Sequence, residues 1–311
     1  MSRLSHNERA IVVSALKHAT PYMRMYKRKI IVLKAGGEAF SSADTTRDLM
    51  EQVGLLHQVG IRVVLVHGGG AQSTQMAEEL GIAAEFVDGR RITDQSSLEV
   101  AAMVLNGQIN TRILASCRDL GIPAVGISGV DAGLIKAHKR PPVARQGNSE
   151  ETVDYGFVGD IESVDTNVLI KQLDNDLVPI ISPLSADESG TLLNINADSV
   201  ASAVAVALSA EKLILATGAP GILESANEPA SLISYVDLAG LSKLRNDNRL
   251  SDGMLPKVAA IELALLGGVP RVHVISHALP DSVLLEIFTN EGTGTLVVND
   301  TQNLTPEEQK G

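Results

Sequence analysis

Short apolar runs rich in β-branched residues alternate along this chain with longer amphipathic segments, and this order constrains the fold more than any other feature. Short continuous apolar runs are typical of strands that are buried on both faces of a sheet. Such runs occupy residues 30–33, 63–66, 178–181, 213–215 and 272–275. Helical periodicity lies between them, near residues 45–59, 72–80, 95–120, 197–208, 254–266 and 281–288. Because strands separated by helices need crossover connections, the sequence predicts an α/β protein with a mostly parallel sheet.

The composition agrees with a core of aliphatic side chains. The chain has 311 residues, of which 44% are hydrophobic, yet it contains no Trp and only four Tyr and four Phe. Val, Ile, Leu and Ala must therefore fill the core, which is typical of helices packed on a buried parallel sheet. A turn-rich stretch at residues 182–190 suggests a boundary between an N-lobe (29–185) and a C-lobe (186–311). The residues ahead of the first predicted strand form an N-terminal helical extension (1–28).

Charge and hydropathy limit the partners that the chain can have. Twenty-six Lys and Arg against thirty-seven Asp and Glu give a net charge of −11, which argues against nucleic acid as a partner. No apolar run reaches the length of about 18–20 residues that a membrane span requires. The charged N-terminus does not resemble a signal peptide, and the single Cys117 cannot form an internal disulfide. These features predict a cytoplasmic protein that binds neither membranes nor nucleic acids.

Two polar, glycine-interrupted regions, at residues 85–92 and 131–163, break the alternation. Both are predicted to form hairpins over one end of the sheet, where they would act as lids on a substrate. Within the second region, residues 139–151 combine paired prolines, mixed charge and few apolar side chains. This composition predicts an exposed, disordered loop tip.

Two glycine-rich loops each follow a predicted buried strand. The first begins with Lys34 and contains Gly36 and Gly37, and the second spans residues 67–70 (HGGG). Glycines between a strand and a helix let backbone N–H groups converge on a phosphate or a carboxylate. A single such junction is more often only a tight turn, but two in successive βα units favour a ligand site. The sequence contains neither a Walker loop nor a dinucleotide fingerprint, so a nucleotide would have to bind without them.

The C-terminal half adds three motifs. Residues 194–198 (NINAD) precede an apolar helix, and residues 217–221 (TGAPG) follow a strand. On helix propensity alone, Asp198 is better explained as a helix cap or first-turn residue than as a functional group. Residues 251–257 (SDGMLPK) open a long helix, and Lys257 in its first turns opposes the helix dipole. Locally unfavourable charges of this kind are expected at functional sites.

Ten motifs, in order along nearly the whole chain, carry a resemblance to a known family. They are KAGG, VLVHGGGAQ, GRRITD, LNGQIN, GISGVDAGLI, DYGFVGDIESV, NINAD, GAPGIL, SDGMLPKV and EIFTNEGTGTLV. The chain resembles the amino-acid kinase superfamily and, within it, the acetylglutamate kinases. The resemblance implies a three-layer αβα sandwich whose N-lobe binds the acyl amino acid and whose C-lobe binds ATP. It also implies phosphorylation of the side-chain carboxylate of N-acetyl-L-glutamate, which gives N-acetyl-L-glutamyl 5-phosphate in arginine biosynthesis.

The resemblance also implies roles for individual residues. Lys34 and Lys257 match the family's two transition-state lysines, and Asp198 matches the carboxylate that positions them. The residues that match contacts to the acyl amino acid are Gly69, Gly70, Arg91, Asn194 and Asn196, with Arg91 suited to grip the α-carboxylate. Those that match the nucleotide side are Gly36, Gly37, Thr217 and Gly221. ATP and Mg²⁺ are the implied cofactors, and no protein ligand for the metal is assigned.

The sequence departs from the family's pattern on the nucleotide side. Ala35 stands where the family usually has an aromatic residue, and Glu38 stands where it usually has Asn. Gly218 replaces the usual Asp after Thr217, which bears on the ribose or adenine contacts. A carboxylate near phosphates is unexpected, so Glu38 either points outward or takes part in metal binding.

The N-terminal extension has two interpretations. Apolar residues recur on one helical face of it, at Ile11, Val12, Ala15, Leu16, Ala19 and Met23. The helix either packs on its own domain or, as in members of the family that arginine inhibits, is exchanged between dimers to build a hexamer. The resemblance places the arginine site partly in the C-terminal loop, at Glu286 and residues 291–294. The His that the pattern expects ahead of the last helix is Asp281 here, so a hexamer is predicted more strongly than arginine inhibition.

Two alternatives to an acetylglutamate kinase stay open at this point. The first is a kinase of a longer acyl amino acid, of the acetylaminoadipate type, because one methylene changes binding by only about 1–3 kcal/mol. The second is a non-catalytic regulatory homologue that binds the acyl amino acid or arginine without turnover.

Overall fold

The structure is a computed structural model that describes residues 5–83, 85–87, 90–145, 148–225, 228–251, 253–290 and 292–303. Its elements follow the predicted alternation of strands and helices. The helices are α1 (His6–Tyr26), α2 (Ala43–Gln58), α3 (Gly70–Glu79), α4 (Gln95–Ala102), α5 (Thr111–Asp119), α6 (Asn167–Asp174), α7 (Ala197–Ala207), α8 (Leu238–Asn246), α9 (Leu255–Leu266) and α10 (Ser282–Phe288). The strands are β1 (Ile30–Ala35), β2 (Arg62–His67), β3 (Phe86–Val87), β4 (Arg90–Arg91), β5 (Ala124–Ser128), β6 (Ile135–Lys139), β7 (Val143–Arg145), β8 (Asn148–Val153), β9 (Gly159–Val164), β10 (Val178–Ser182), β11 (Leu184–Ala186), β12 (Leu192–Asn194), β13 (Lys212–Thr217), β14 (Tyr235–Asp237), β15 (Val272–Ser276) and β16 (Thr295–Val298).

A mostly parallel sheet forms the centre of the molecule. Within the described residues it has eight strands, in the order β14-β16-β15-β13-β1-β2-β10-β5. Neighbouring strands pair in parallel except β15 and β16, which are antiparallel. β1 lies in the middle, where Lys34 pairs with Leu215 of β13 and Val66 of β2. Because parallel strands end at the same edge of a sheet, the loops after β1, β2 and β13 lie side by side.

Helices cover both faces of this sheet, which confirms the predicted αβα sandwich. α6, α7, α8, α9 and a second sheet in the order β12-β11-β6-β9 pack on one face, while α2, α4, α5 and α10 pack on the other. Successive residues of β1 point to opposite faces, so Val32 is buried in one core and Leu33 in the other. This two-sided burial is why the strand sequences are continuous apolar runs.

The structure differs from the predicted elements in two places. The long helix predicted at residues 95–120 is divided into α4, a π-helix at Met103–Asn110 and α5. The loop tip predicted to be disordered at residues 139–151 instead contains β7 and β8, which pair antiparallel, so that prediction was wrong for these strands. Residues 146 and 147 lie outside the described ranges. Cross-strand pairing of polar segments has no apolar period, which is why the composition of residues 139–151 did not reveal that the tip of the predicted hairpin is itself paired.

The N-terminal extension is helical, as predicted. α1 begins with a capping box between Ser5 and Glu8. Its first half exposes Ile11, Val12 and Leu16. Tyr26 at its C-terminal end is buried, and the helix contacts α10. In the described part of the chain, no helix is long and apolar enough to cross a membrane.

Candidate active site

One buried carboxylate joins two lysines from different parts of the chain. Lys34 stands near the end of β1, Asp198 in the first turn of α7, and Lys257 in the first turn of α9. Lys34 Nζ lies 2.7 Å from Asp198 Oδ1, and Lys257 Nζ lies 3.4 Å from Asp198 Oδ2. The structure therefore brings together the three residues that the sequence assigned to catalysis, and Asp198 is more than a helix-capping residue.

The electrostatics of these three residues depend on one another. Burial opposes the ionisation of Asp198, but the neighbouring Lys34 and Lys257 hold its pKa below the ordinary value. Burial also lowers the pKa of Lys34, an effect that Asp198 opposes and the like charge of Lys257 strengthens. The ammonium of Lys34 is thus poorly solvated, and an anion that enters the site would stabilise it.

The two glycine loops pack against each other beside Lys34. A Cβ atom on Gly37 would lie 3.0 Å from Gly69 Cα, and one on Gly69 would lie 2.5 Å from a side-chain carbon of Ile109. By contrast, added Cβ atoms on Gly36 and Gly70 would meet nothing within 4 Å. Gly37 and Gly69 are therefore required by close packing, whereas Gly36 and Gly70 border open space in which a ligand can approach the backbone.

A cavity of about 360 Å³ lies on the β2 side of Lys34, and we call it the acceptor cavity. Its lining includes both glycine loops, Asn194, Asn196 and Asp198. Asn196 has a structural task as well, because its Oδ1 accepts hydrogen bonds from the backbone N–H groups of Asp198 and Ser199 and so caps α7. This cap holds Asp198 in the first turn of the helix.

A second cavity, of about 390 Å³, lies on the β13 side of Lys34, and we call it the donor cavity. Its lining includes Gly36, Gly37, Thr217 and Lys257. Lys34 lines both cavities and so stands at their junction.

Gly221 lines neither cavity, because it is buried where an added Cβ would lie 2.6 Å from Leu232 and 2.7 Å from Thr295 Oγ1. Its place in the fold is explained by packing. Arg91 belongs to the β3–β4 hairpin, but its side chain lies outside the described part of the structure.

Two polar residues near the glycine loops, Gln72 and Asn110, were not named as members of the site by the sequence analysis. Gln72 Nε2 donates a hydrogen bond to the Gly37 carbonyl at 2.6 Å and so ties the two loops together. Asn110, at the end of the π-helix, donates to His67 Nε2 at 3.2 Å. Burial lowers the pKa of His67 to about 4, so this imidazole is uncharged at neutral pH. Gln72 follows the glycines directly in sequence, whereas the role of Asn110 requires the packed structure.

A third cavity lies between α1 and the C-terminal half. Its lining includes Tyr22, Tyr26, Lys212, Arg271, Glu286, Gly292 and Gly294. Buried below it, Lys212 Nζ lies 2.9 Å from His273 Nε2, and His273 Nδ1 lies 2.5 Å from Glu286 Oε1. Burial would raise the pKa of Glu286, but the bonded His273 and the backbone N–H of Thr293 lower it to about 2. The sequence analysis placed Glu286 and residues 291–294 in an arginine site but did not name His273. Glu291 lies outside the described residues.

Comparisons with known proteins agree with this arrangement. A family model described as the amino acid kinase family matches residues 29–276. The chain is 47% identical over 290 residues to the acetylglutamate kinase of Myxococcus xanthus, with 92% of this chain and 94% of that protein covered. It is 43% identical over 285 residues to the acetylglutamate kinase of Symbiobacterium thermophilum, with 92% and 97% covered.

Solved structures add a likeness in three dimensions. An N-acetylglutamate synthase from Neisseria gonorrhoeae, complexed with coenzyme A and N-acetyl-glutamate, is similar with a TM-score of 0.80 and 28% identity. That likeness covers 93% of this chain and 64% of the synthase chain. The same synthase complexed with coenzyme A and L-arginine has a TM-score of 0.80 and 27% identity, over 93% of this chain and 65% of that one.

Proposed function

This chain belongs to the amino acid kinase family and, within it, to the acetylglutamate kinases, and from that premise we propose that Lys34, Lys257 and Asp198 carry its chemistry. The protein is an ATP-dependent kinase that phosphorylates N-acetyl-L-glutamate in arginine biosynthesis. The observation that carries our assignment is the buried Asp198, whose two oxygens pair with two lysines where the acceptor and donor cavities meet.

The reaction does not need a general base. A substrate side-chain carboxylate with a pKa of about 4.3 is already ionised at neutral pH and can attack phosphorus directly. Although His67 lies next to the glycine loops, it is buried and uncharged, and its Nε2 accepts from Asn110. We therefore assign His67 a structural role.

Catalysis must instead come from alignment and charge neutralisation, because an anion has to approach the highly charged γ-phosphoryl group. Lys34, at the junction of the cavities, neutralises charge as it develops on the transferring group, and Lys257 does so from the donor side. Asp198 keeps both ammonium groups in place and is itself a positioning residue. Backbone N–H groups of the loops at Gly36 and Gly70 supply further donors whose directions are set by the fold.

We assign the N-lobe (29–185) chiefly to the acyl amino acid and the C-lobe (186–311) chiefly to the nucleotide. Asn194 and Asn196 of the C-lobe also line the acceptor cavity, and Gly36 and Gly37 of the N-lobe also line the donor cavity. N-acetyl-L-glutamate occupies the acceptor cavity, and its predicted contacts are Gly69, Gly70, Asn194, Asn196 and Arg91. ATP occupies the donor cavity, beside Gly36, Gly37 and Thr217, whereas Gly221, which the sequence predicted on the nucleotide side, packs against Leu232 and Thr295 outside the lining of this cavity. Mg²⁺, when bound, supplies positive charge that neutralises the phosphates. We also place the enzyme in the cytoplasm, because a chain whose single Cys117 cannot form an internal disulfide is typical of a reducing compartment.

A coupled assay for ADP formation tests this function against its alternatives. With ATP and Mg²⁺, we expect kcat/KM for N-acetyl-L-glutamate to exceed that for N-acetyl-L-2-aminoadipate by roughly 10–200-fold, the effect of one methylene. A preference for the longer acid would assign the enzyme to that substrate. Absence of turnover with both acids, in a chain that still binds one of them, would favour a regulatory homologue.

We further propose that the protein is a hexamer in which α1 links dimers. The support is the apolar surface of Ile11, Val12 and Leu16, which are 67%, 46% and 57% exposed in the single chain. Several large apolar side chains on one exposed helix are typical of an interface with another protein.

Removal of residues 1–26 is expected to convert the hexamer into dimers, because it deletes the linking helix. Light scattering coupled to gel filtration measures the mass. In the full-length chain, Leu16→Asp should act in the same direction, while Lys17→Asp, an exposed neighbour on the helix, serves as the control. An unchanged number of subunits in the truncated chain would contradict the proposal.

Arginine is the effector that we assign to the third cavity. Its lining carries Glu211 and Glu286 together with Lys212 and Arg271, so it offers partners of both signs to a zwitterion with a cationic side chain. Tyr22 and Tyr26 of α1 complete this cavity. The truncation described above therefore has a second expected result, which is the loss of any effect of arginine on kinase activity.

A further inference from the structure

Glu38 reaches across the donor cavity from one lobe to the other. It belongs to a short 3₁₀ turn at Gly37–Phe40 directly after β1, and its side chain is 71% exposed. Its carboxylate points toward Gly218, in the loop after β13, and toward His277, which directly follows β15. Among the described residues that line the donor cavity, Glu38 is the only one with an acidic side chain.

Gly218 provides the space that this carboxylate occupies. A Cβ atom on Gly218 would lie 2.9 Å from Glu38 Oε2, which is closer than real Cβ contacts. The backbone of Gly218 is not in the left-handed region, so its conformation does not require glycine. The missing side chain instead leaves space for a neighbouring group. Any larger residue at position 218 would have to displace Glu38.

His277 borders the same space with an unsatisfied nitrogen. Its backbone N–H donates to the Thr217 carbonyl at 2.9 Å, which fixes the residue against the end of β13. Its Nε2 is buried without a hydrogen-bond partner and lies 3.6 Å from Glu38 Oε2, beyond hydrogen-bond distance. A buried polar atom without a partner indicates that a further group completes the site.

A carboxylate in a cavity for a polyphosphate is unfavourable unless a cation lies between the two anions. Mg²⁺ prefers oxygen ligands and is usually held by one or two carboxylates together with substrate phosphates, while it keeps several waters. Glu38 supplies such an oxygen, and His277 Nε2 can accept a hydrogen bond from a metal-bound water. The described lining of the donor cavity also includes the cationic Lys34 and Lys257 and the uncharged Thr217 and Ser251, so Glu38 is its one described oxygen ligand of negative charge.

We propose that Glu38 holds the divalent cation that accompanies ATP, directly or through a metal-bound water, in the space that Gly218 leaves open and His277 borders. This inference rests on the proposed function, because it takes the donor cavity as the nucleotide site. The space at Gly218 and the unpartnered Nε2 of His277 both favour this role over a carboxylate that only points outward.

Calorimetric titration with adenylyl imidodiphosphate, a nonhydrolysable ATP analogue, tests the proposal without turnover. Each protein is titrated once with Mg²⁺ present and once with EDTA, and the ratio of the two affinities is the metal enhancement. For Glu38→Gln we expect the affinity measured with Mg²⁺ to fall about tenfold, as for loss of one charge-assisted contact. The metal-free affinity should stay the same or rise, because the repulsion between the carboxylate and the phosphates is removed. Glu78→Gln, which removes an exposed carboxylate on α3, is the matched control and should behave like the wild type.

Gly218→Ala gives an independent test, because it displaces the Glu38 carboxylate without removing its charge. We expect it to lower the metal enhancement in the same direction as Glu38→Gln. An enhancement equal to that of the wild type in Glu38→Gln would overturn the proposal. An equal loss of affinity with and without Mg²⁺ would also overturn it, because Glu38 would then contact the nucleotide itself. Failure of the wild type to bind the nucleotide would instead refute the proposed function.

Discussion

Replacement of either lysine by Met is expected to lower kcat by about 10²–10³-fold, because one positioned charge at the transferring group is lost. Lys257→Met is the cleaner of the two variants, because the Lys257 side chain is 20% exposed and Lys34 still pairs with Asp198 after its removal. Lys34→Met also removes a buried partner of Asp198 and is therefore expected to lower the free energy of unfolding. Part of its loss of activity would then come from unfolded protein. Steady-state kinetics with both substrates varied give kcat and each KM separately.

The matched control for the lysine variants is Lys243→Met. Lys243 lies exposed on α8, so its replacement makes the same chemical change outside the site. A KM effect without a kcat effect would mean that the lysines bind ground-state substrate only. Full kcat in either site variant would refute the assignment of that lysine to the transition state.

Asp198→Asn is expected to damage both stability and activity, because it leaves two ammonium groups without their carboxylate. Removal of one partner from a buried ion pair costs about 3–5 kcal/mol, so urea denaturation should give a free energy of unfolding lower by roughly that amount. The exposed Asp48 on α2 provides the control Asp48→Asn, for which little change is expected.

The pH dependence of Asp198→Asn distinguishes a positioning role from a purely structural one. In the wild type, burial lowers the pKa of Lys34 and Asp198 opposes that effect. Without Asp198 the pKa of Lys34 falls further, so the ammonium is lost at a lower pH. The alkaline limb of the kcat profile should therefore move toward neutral pH, and residual activity should be greatest at the acidic end. An alkaline limb at the wild-type position would contradict this role for Asp198.

The wild-type ion pairs also predict how stability changes with acid. The pKa of Asp198 is lower in the folded protein than in the unfolded chain, so the unfolded chain binds the proton first as the pH falls. The stabilisation by Asp198 is complete above its unfolded pKa of about 3.9 and is lost as the pH falls through the lower, folded value.

Part of the site could be predicted from sequence because it depends on local structure. Lys34 and the two glycine loops follow strands whose apolar runs are unambiguous, and parallel strands place such loops at one edge. Gly221 lies in a motif of the same kind, yet the structure packs it against Leu232 and Thr295. The motif alone cannot distinguish these outcomes, because glycine serves close packing and ligand approach equally well.

The sequence by itself determined the order of strands and helices, the parallel sheet and the edge of the sheet at which the ligand loops lie. The reason is that the spacing of apolar residues within each short segment sets its secondary structure. The family resemblance linked Asp198 to Lys34 and Lys257, but only the tertiary structure shows that one oxygen of Asp198 pairs with each lysine. Only the tertiary structure decided that Gln72 joins the glycine loops and that Glu38 lies in the space above Gly218. These partners lie on elements far apart in the chain. Their contacts depend on the register of the strands and on side-chain packing, and no local pattern encodes either of them.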